Sequence, residues 1–217
     1  MTKNFIQINS MYQKYTIFTF LTIVIMGSSI SNFYVFQSYL SQYNLISDAA
    51  NGSSSLNVDE INKIPHTYPN LSLNSVPIAT YKAMQLNKYE MTNEALEMIK
   101  KGIVYNPFLA YSHYQESRIY LSRNDILSAT ESANRGYILS PKIPSLAALY
   151  FTLLSEGDNL TKLISYYPNV EDSLNETIWR YYILALKKVI PNYIDNKFYN
   201  EVLSRSHKLF KIDLSLN

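Results

Sequence analysis

The sequence predicts an all-α protein: a short stack of helical hairpins, closed by further helices at the carboxyl end and preceded by one apolar helix long enough to cross a membrane. Three observations predict it. No charged residue occurs from Tyr15 to Ser47. Laid on itself at an offset of 34 residues, the chain aligns small residues, glycines and prolines together. Apolar residues then recur at helical spacing through the last third.

The apolar element comes first. Tyr15-Thr-Ile-Phe-Thr-Phe-Leu-Thr-Ile-Val-Ile-Met26 is apolar or Thr throughout, and aromatic character resumes at Phe33, Tyr34, Val35 and Phe36. A helix over 15–37 has roughly 22 residues at about 1.5 Å each, enough for the ~30 Å hydrocarbon core. Two other readings compete. Ile17 to Met26 also suits the apolar region of a cleaved signal peptide, with Ser29-Ile-Ser31 as small residues for a peptidase. A buried soluble helix would instead show a polar face, and none is visible. Lys3 and Lys14 precede the segment and no Lys or Arg follows until Lys63. The positive-inside rule therefore keeps residues 1–14 as a cytoplasmic tail and places the remainder on the periplasmic or other extracytoplasmic side, as a single-pass protein.

Residues 38–76 read as a linker. Asn51-Gly-Ser-Ser-Ser55, Pro65 and Pro69 punctuate it, and Pro77 closes it. Asn-x-Ser/Thr sequons begin at Asn51, Asn70, Asn159 and Asn175, about as many as an Asn- and Ser-rich composition produces by chance, so they carry no weight.

Residues 77–168 hold the repeats. At the 34-residue offset Ala83 falls on Ser117, Leu86 on Tyr120, Ala95 on Ala129, Ile99 on Ala133, Gly102 on Gly136 and Pro107 on Pro141. Physically this is a hairpin. Small residues let two helices approach, a larger one a turn later fills the space beside them, and the proline stops the second helix. Ala95-Leu-Glu-Met-Ile-Lys-Lys-Gly-Ile-Val-Tyr-Asn-Pro107, repeated as Ala129-Thr-Glu-Ser-Ala-Asn-Arg-Gly-Tyr-Ile-Leu-Ser-Pro141, resembles the second helix of a tetratricopeptide repeat. A third unit starts at Pro144 and turns at Gly157-Asp-Asn159. It carries Phe151 and Leu163 where small residues are expected and reaches Tyr167-Pro168 too soon for a full second helix, so it reads as degenerate or capping.

Residues 169–217 continue as terminal helices. Ser173 before Leu174-Asn-Glu176 suggests a capping box. Leu174, Ile178, Tyr181, Tyr182, Ala185 and Val189 share helical spacing up to Pro191, and Phe198, Val202 and Phe210 suggest one more helix that covers the end of the stack.

Composition narrows function by exclusion. The 217 residues contain no Cys, which removes disulfides, Cys-based zinc sites and thiol nucleophiles. Five glycines, none of them clustered, argue against a phosphate cradle. A net charge of +2 from 19 basic and 17 acidic residues makes no electrostatic case for nucleic acid. No carboxylate pair, Ser/His/Asp set or His-rich face emerges, so neither a catalytic residue, a metal nor a cofactor is expected. His66, His113 and His207 read as surface or packing residues. Asp59-Glu60 and Glu171-Asp172 suit helix beginnings or linker. A hydrolase would need Glu116, His113 and a hydroxyl residue in one cleft.

The resemblance implies where a partner would bind. In tetratricopeptide units the groove-facing residues come from the first helix, which here gives Tyr111, Tyr114, Arg118 and Leu121 in the second unit and Thr80, Met84 and Asn87 in the first. Tyr and Arg are the types that most often anchor interfaces. The competing reading packs them against the linker or the terminal helices. Compositional bias and phrases such as Asn106-Pro-Phe-Leu-Ala-Tyr111 and Tyr120-Leu-Ser-Arg-Asn-Asp-Ile-Leu-Ser-Ala129 are similar to anchored envelope repeat proteins of Bacteroidota. The layout resembles that of the anchored periplasmic repeat subunit that accompanies the Sec translocon. The expectation is a non-enzymatic scaffold or accessory subunit, held to the lipid bilayer by its first helix and binding protein partners in a membrane or envelope complex. The alternative is an accessory to a surface-polysaccharide polymerase or ligase.

Overall fold

The computed structural model describes residues 2–67, 70–72 and 74–210, with side chains from residue 14 onward except at 41. Pro69 of the expected linker and residues 211–217 of the expected terminal segment lie outside the described residues. The chain divides after Asn70 into two compact units.

The first unit is dominated by α1 (Thr2–Asn51). Its stretch from Lys14 is long and apolar enough to cross a membrane by length and composition, and its apolar window is wholly exposed. Tyr15, Ile17, Phe18, Phe20, Ile23 and Ile25 are exposed around the whole helix, as in a helix without a polar face. Hydroxyls inside the stretch are satisfied locally: Thr22 Oγ1 donates to the Phe18 carbonyl at 2.9 Å and Ser28 Oγ to the Val24 carbonyl at 2.7 Å. The helix thus passes unbroken through Gly27-Ser-Ser-Ile-Ser31. From Ser38 the pattern changes, because Ser38, Gln42, Leu45 and Asp48 form one buried face.

The expected linker is therefore helical as far as Asn51. Nothing between 38 and 50 breaks a helix, and the stop comes at Gly52, whose φ of 70° lies in the left-handed region. Beyond it the Ser-rich loop is pinned. Asp48 accepts from Ser53 Oγ (2.8 Å), the Ser55 amide (2.7 Å) and Ser55 Oγ (2.9 Å). Next comes α2 (Val58–Lys63), started by a reciprocal pair in which Asn57 Oδ1 accepts from the Glu60 amide and Glu60 Oε2 from the Asn57 amide.

The second unit contains α3 (Ile78–Lys88), α4 (Thr92–Tyr105), α5 (Ala110–Ser122), α6 (Ile126–Leu139), α7 (Pro144–Glu156), α8 (Leu160–Ser165), α9 (Tyr167–Glu171), α10 (Glu176–Val189) and α11 (Lys197–Phe210). Among the described residues there is no strand, only a single bridge between Leu71 and Pro77. The repeat is written in the backbone. Glu90, Asn124, Asp158 and Asn192 all have φ between 50° and 61°, and each lies 34 residues after the one before. Each sits in the tight connection between the two helices of a hairpin. First helices start at 78, 110, 144 and 176, so the terminal helices form a fourth hairpin, and the first helices of the second and fourth hairpins each begin two residues early.

Close approach follows the small residues. Gly102 lies against Thr80 of α3, with the Thr80 amide nitrogen 3.2 Å from where a Cβ would stand. At Gly136 a Cβ would come 3.2 Å from the Ala110 carbonyl oxygen and 3.3 Å from His113 Cβ, both on α5, and 2.9 Å from Leu146 Cδ2 on α7. Ala83, Ala95, Ser117 and Ala129 are completely buried between the same helices.

The third hairpin differs. Phe151 and Leu163 are both completely buried, and Pro168 stands where the second helix would run on, so that helix divides into α8 and α9. As a result α7 packs most extensively on α10 rather than on its own second helix. Aromatic rings fill the space. Tyr137, Tyr150, Phe151, Tyr166 and Tyr182 meet at centroid distances of 5.2–5.3 Å. Their polar ends find partners: Tyr182 Oη donates to the Leu163 carbonyl, Tyr166 Oη to Asn134 Oδ1, and Trp179 Nε1 to the Ser173 carbonyl. Tyr137 Oη is buried without a hydrogen bond of normal geometry, and the Asn169 side chain is the polar group beside it. Burial pushes this hydroxyl up to about 12.

Two details of the terminal segment depart from expectation. The cap of α10 is Asn175, whose Oδ1 accepts from the Thr177 and Ile178 amides, while Ser173 Oγ accepts from the Asn175 amide. Ile178, Tyr182, Ala185 and Val189 are buried as their spacing predicts, but Leu174 and Tyr181 are exposed.

Candidate functional site

On α5, three side chains selected from sequence form a ladder one turn apart. The rings of Tyr111 and Tyr114 stack with centroids 6.4 Å apart at 25°. The Arg118 guanidinium lies 5.8 Å from the Tyr114 centroid, a cation–π contact of about 0.5–1 kcal/mol at an exposed site. From α3, Met84 accepts a hydrogen bond from Tyr111 Oη at its sulfur, at 3.4 Å. Asn87 Oδ1 accepts from Ser122 Oγ at 2.9 Å and ties the far end of α3 to α5. Burial pushes the Tyr111 hydroxyl up, so it stays a neutral donor. Arg118 is exposed and forms no ion pair among the described residues. The ladder thus offers aromatic faces, a thioether and an uncommitted cation side by side.

Two of the expected residues stand elsewhere. Thr80 is completely buried, hydrogen-bonded to Ser112 Oγ at 2.9 Å and pressed on Gly102. Its position falls in the first turn of α3, where the ends of α4 and α5 converge, and it faces no open surface. Leu121 is half-buried against the aromatic core of the C-terminal hairpins. Sequence reasoning did not extend the frame to α7. There the matching positions hold Ser145, Ala148 and Thr152, exposed or half-exposed small side chains. Adding 34 to Tyr111, Tyr114 and Arg118 finds them directly.

The structure also gathers His113, Glu116 and a hydroxyl, Ser132. They lie in a buried seam between α5 and α6. Arg135 Nη2 donates to Glu116 Oε2 and to Ser132 Oγ, both at 2.9 Å, and His113 Nδ1 is 3.8 Å from Glu116 Oε2. Burial alone would raise the Glu116 carboxyl, but the hydrogen bond from Arg135 and the polar groups of His113 and Ser132 beside it outweigh burial and hold the group below its usual range. A carboxylate so committed ties two helices together. His66 is half-buried and His207 exposed. Among the described residues no three metal-ligating side chains cluster.

No family model matches the chain, and no curated protein matches it. Among solved structures, the crystal structure of MamA protein is similar with a TM-score of 0.56 at 11% identity, over 82% of this chain and 97% of that one. At that identity the likeness is one of fold. MamA is a tetratricopeptide-type helical repeat protein. The chain accordingly has an all-α helical-repeat fold, with one N-terminal helix apolar and long enough to cross a membrane.

Proposed function

We propose that this protein is a non-enzymatic scaffold or accessory subunit, anchored in a membrane by α1 and docking a protein partner with the repeat module on the extracytoplasmic side. The observation that carries the docking reading is the Tyr111–Tyr114–Arg118 ladder. Tyr and Arg bury large area with few rotamers frozen, and Arg118 remains available for an acidic group. An unbroken helix through the Ser cluster supports a retained anchor, and the lysines at 3 and 14 support a cytoplasmic amino terminus. The commitment of Glu116 to Arg135 supports a structural rather than catalytic role for the buried cluster of His113, Glu116 and Ser132.

Crosslinking in the native cell, followed by mild detergent extraction and identification of what co-purifies, tests this reading. Recovery of translocon or chaperone components supports docking in an envelope complex. Recovery of a polytopic glycosyl enzyme instead assigns the module to polysaccharide assembly. Recovery of nothing reproducible contradicts both.

A further inference from the structure

A second surface has a different chemistry. At the end of the second helix the same repeat position is apolar and exposed in consecutive hairpins: Val104 is 77% exposed and Ile138 62%. The segments that lead from one hairpin to the next continue the theme, with Phe108 (81%) after α4, Leu139 and Ile143 around the end of α6, and Leu174 (85%) before α10. One exposed apolar residue needs no cause, but recurrence along one edge of a stack does. Lysines are interleaved. Lys100 and Lys101 share a shallow hollow of about 340 Å³ with Val104 and Tyr105, and Lys142 shares another of about 240 Å³ with Leu174. Lys101 is paired with Glu97 at 2.7 Å, whereas Lys100 and Lys142 form no ion pair among the described residues.

This mixture separates lipid from protein as the occupant. Protein interfaces are depleted in Lys and enriched in aromatic residues, Met and Arg; the α5 ladder has that composition without a lysine, whereas this edge interleaves three lysines with its apolar groups. Aliphatic and Phe side chains with lysines beside them describe a surface that lies in the headgroup region of a bilayer, the apolar groups entering and the ammonium groups meeting lipid phosphates. Three lysines face two acids, Glu97 and Asp172, at these hollows, so the edge favours an anionic surface. Tethering raises the effective concentration of lipid around the module, so a weak surface suffices.

We propose that this edge of the repeat stack rests on the surface of an anionic bilayer. The proposal depends on α1 being a retained span. The chain has no cysteine, so single labels can be placed cleanly. The full chain is reconstituted in phosphatidylcholine vesicles with or without phosphatidylglycerol. Spin labels are placed at Val104→Cys, Phe108→Cys and Ile138→Cys, at Ile23→Cys in the span, and at Ser204→Cys on the exposed side of α11. Accessibility to oxygen and to a water-soluble nickel chelate is then read by electron paramagnetic resonance. With phosphatidylglycerol present, the three edge labels should exclude nickel and admit oxygen as the label at 23 does, while the label at 204 stays open to nickel. High salt or removal of phosphatidylglycerol should reverse the protection at the edge alone. Edge labels as open to nickel as 204, with 23 protected, overturn the proposal and leave the anchor standing. Protection that disappears when the protein-to-lipid ratio is lowered with lipid of the same composition assigns the edge to a second copy and also overturns it. A label at 23 open to nickel overturns the anchor reading and this proposal with it.

Discussion

The second and third hairpins solve one packing problem in opposite ways. In the second, Ser117, Ala129 and Gly136 remove side-chain bulk, and α5 and α6 nest along their length. In the third, Phe151 and Leu163 occupy the two small-residue positions, the second helix divides at Tyr166, and α10 closes on α7 through aromatic rings. Yet the connection turns at Asn124 and Asp158 share the left-handed conformation and the same place in the frame. The frame belongs to the turns, and the interior can be met by absence of bulk or by rings that fill the gap.

The sharpest way to break this contrast is to empty the aromatic half. Trp179 is completely buried and bonded to the Ser173 carbonyl, so Trp179→Ala should cost about 3–5 kcal/mol in chemical denaturation. The small-residue half should fail in the opposite direction, by crowding. Gly136→Ala places a Cβ 3.2 Å from a backbone oxygen that cannot swing away, and should cost about 1–2 kcal/mol despite its better helix propensity. Gly157→Ala is the control: its nearest contacts are 3.7 and 3.8 Å and its φ is −86°, so its stability should be unchanged within about 0.5 kcal/mol.

Glu116 sharpens the comparison electrostatically, because the third hairpin has Tyr150 at the matching place. The folded carboxyl titrates below its ordinary value of about 4.3, so its contribution is complete above that value and is lost as pH falls through the folded one. Glu116→Gln should therefore cost about 1 kcal/mol at neutral pH, kept small by the half-exposure of Arg135, and progressively less as pH falls below the ordinary carboxylate range. Parallel denaturation of both proteins across pH 3–7 checks it. A gain is expected at the first turn, where Glu90 holds the conformation that Asn124, Asp158 and Asn192 adopt more readily. Glu90→Asn should raise stability by about 0.5–1 kcal/mol in the same assay.

Much of this was legible in sequence where one residue type has one physical job. Gly102 and Gly136 mark helix crossings, and Pro107 and Pro141 end second helices. Phe151 and Leu163 announced the irregular third unit. The fourth hairpin stayed hidden because its buried positions carry Trp179 and Tyr182, which read only as an amphipathic helix. Asn175 was missed as a cap because Ser173 fits the same pattern; in the fold the Ser173 hydroxyl accepts from the Asn175 amide, and Asn175 Oδ1 takes the Thr177 and Ile178 amides. The Glu116 and Arg135 pair spans 19 residues between two helices, and no spacing rule reaches across a hairpin. At the candidate site, Tyr111, Tyr114, Arg118 and Met84 come together as the frame implied, whereas Thr80 does not. Its neighbour Gly102 lies 22 positions along, and the closeness that buries it is tertiary.

Partner docking by the α5 ladder, as proposed, differs from mere packing in what its side chains hold. Its direct test is the triple variant Tyr111→Ala, Tyr114→Ala and Arg118→Ala, compared with the unaltered chain by crosslinking and co-purification from native membranes, with a circular dichroism melt of each. The partner should be lost while the melt stays nearly unchanged. Retention of the partner by the variant, or collapse of the melt along with binding, would contradict it.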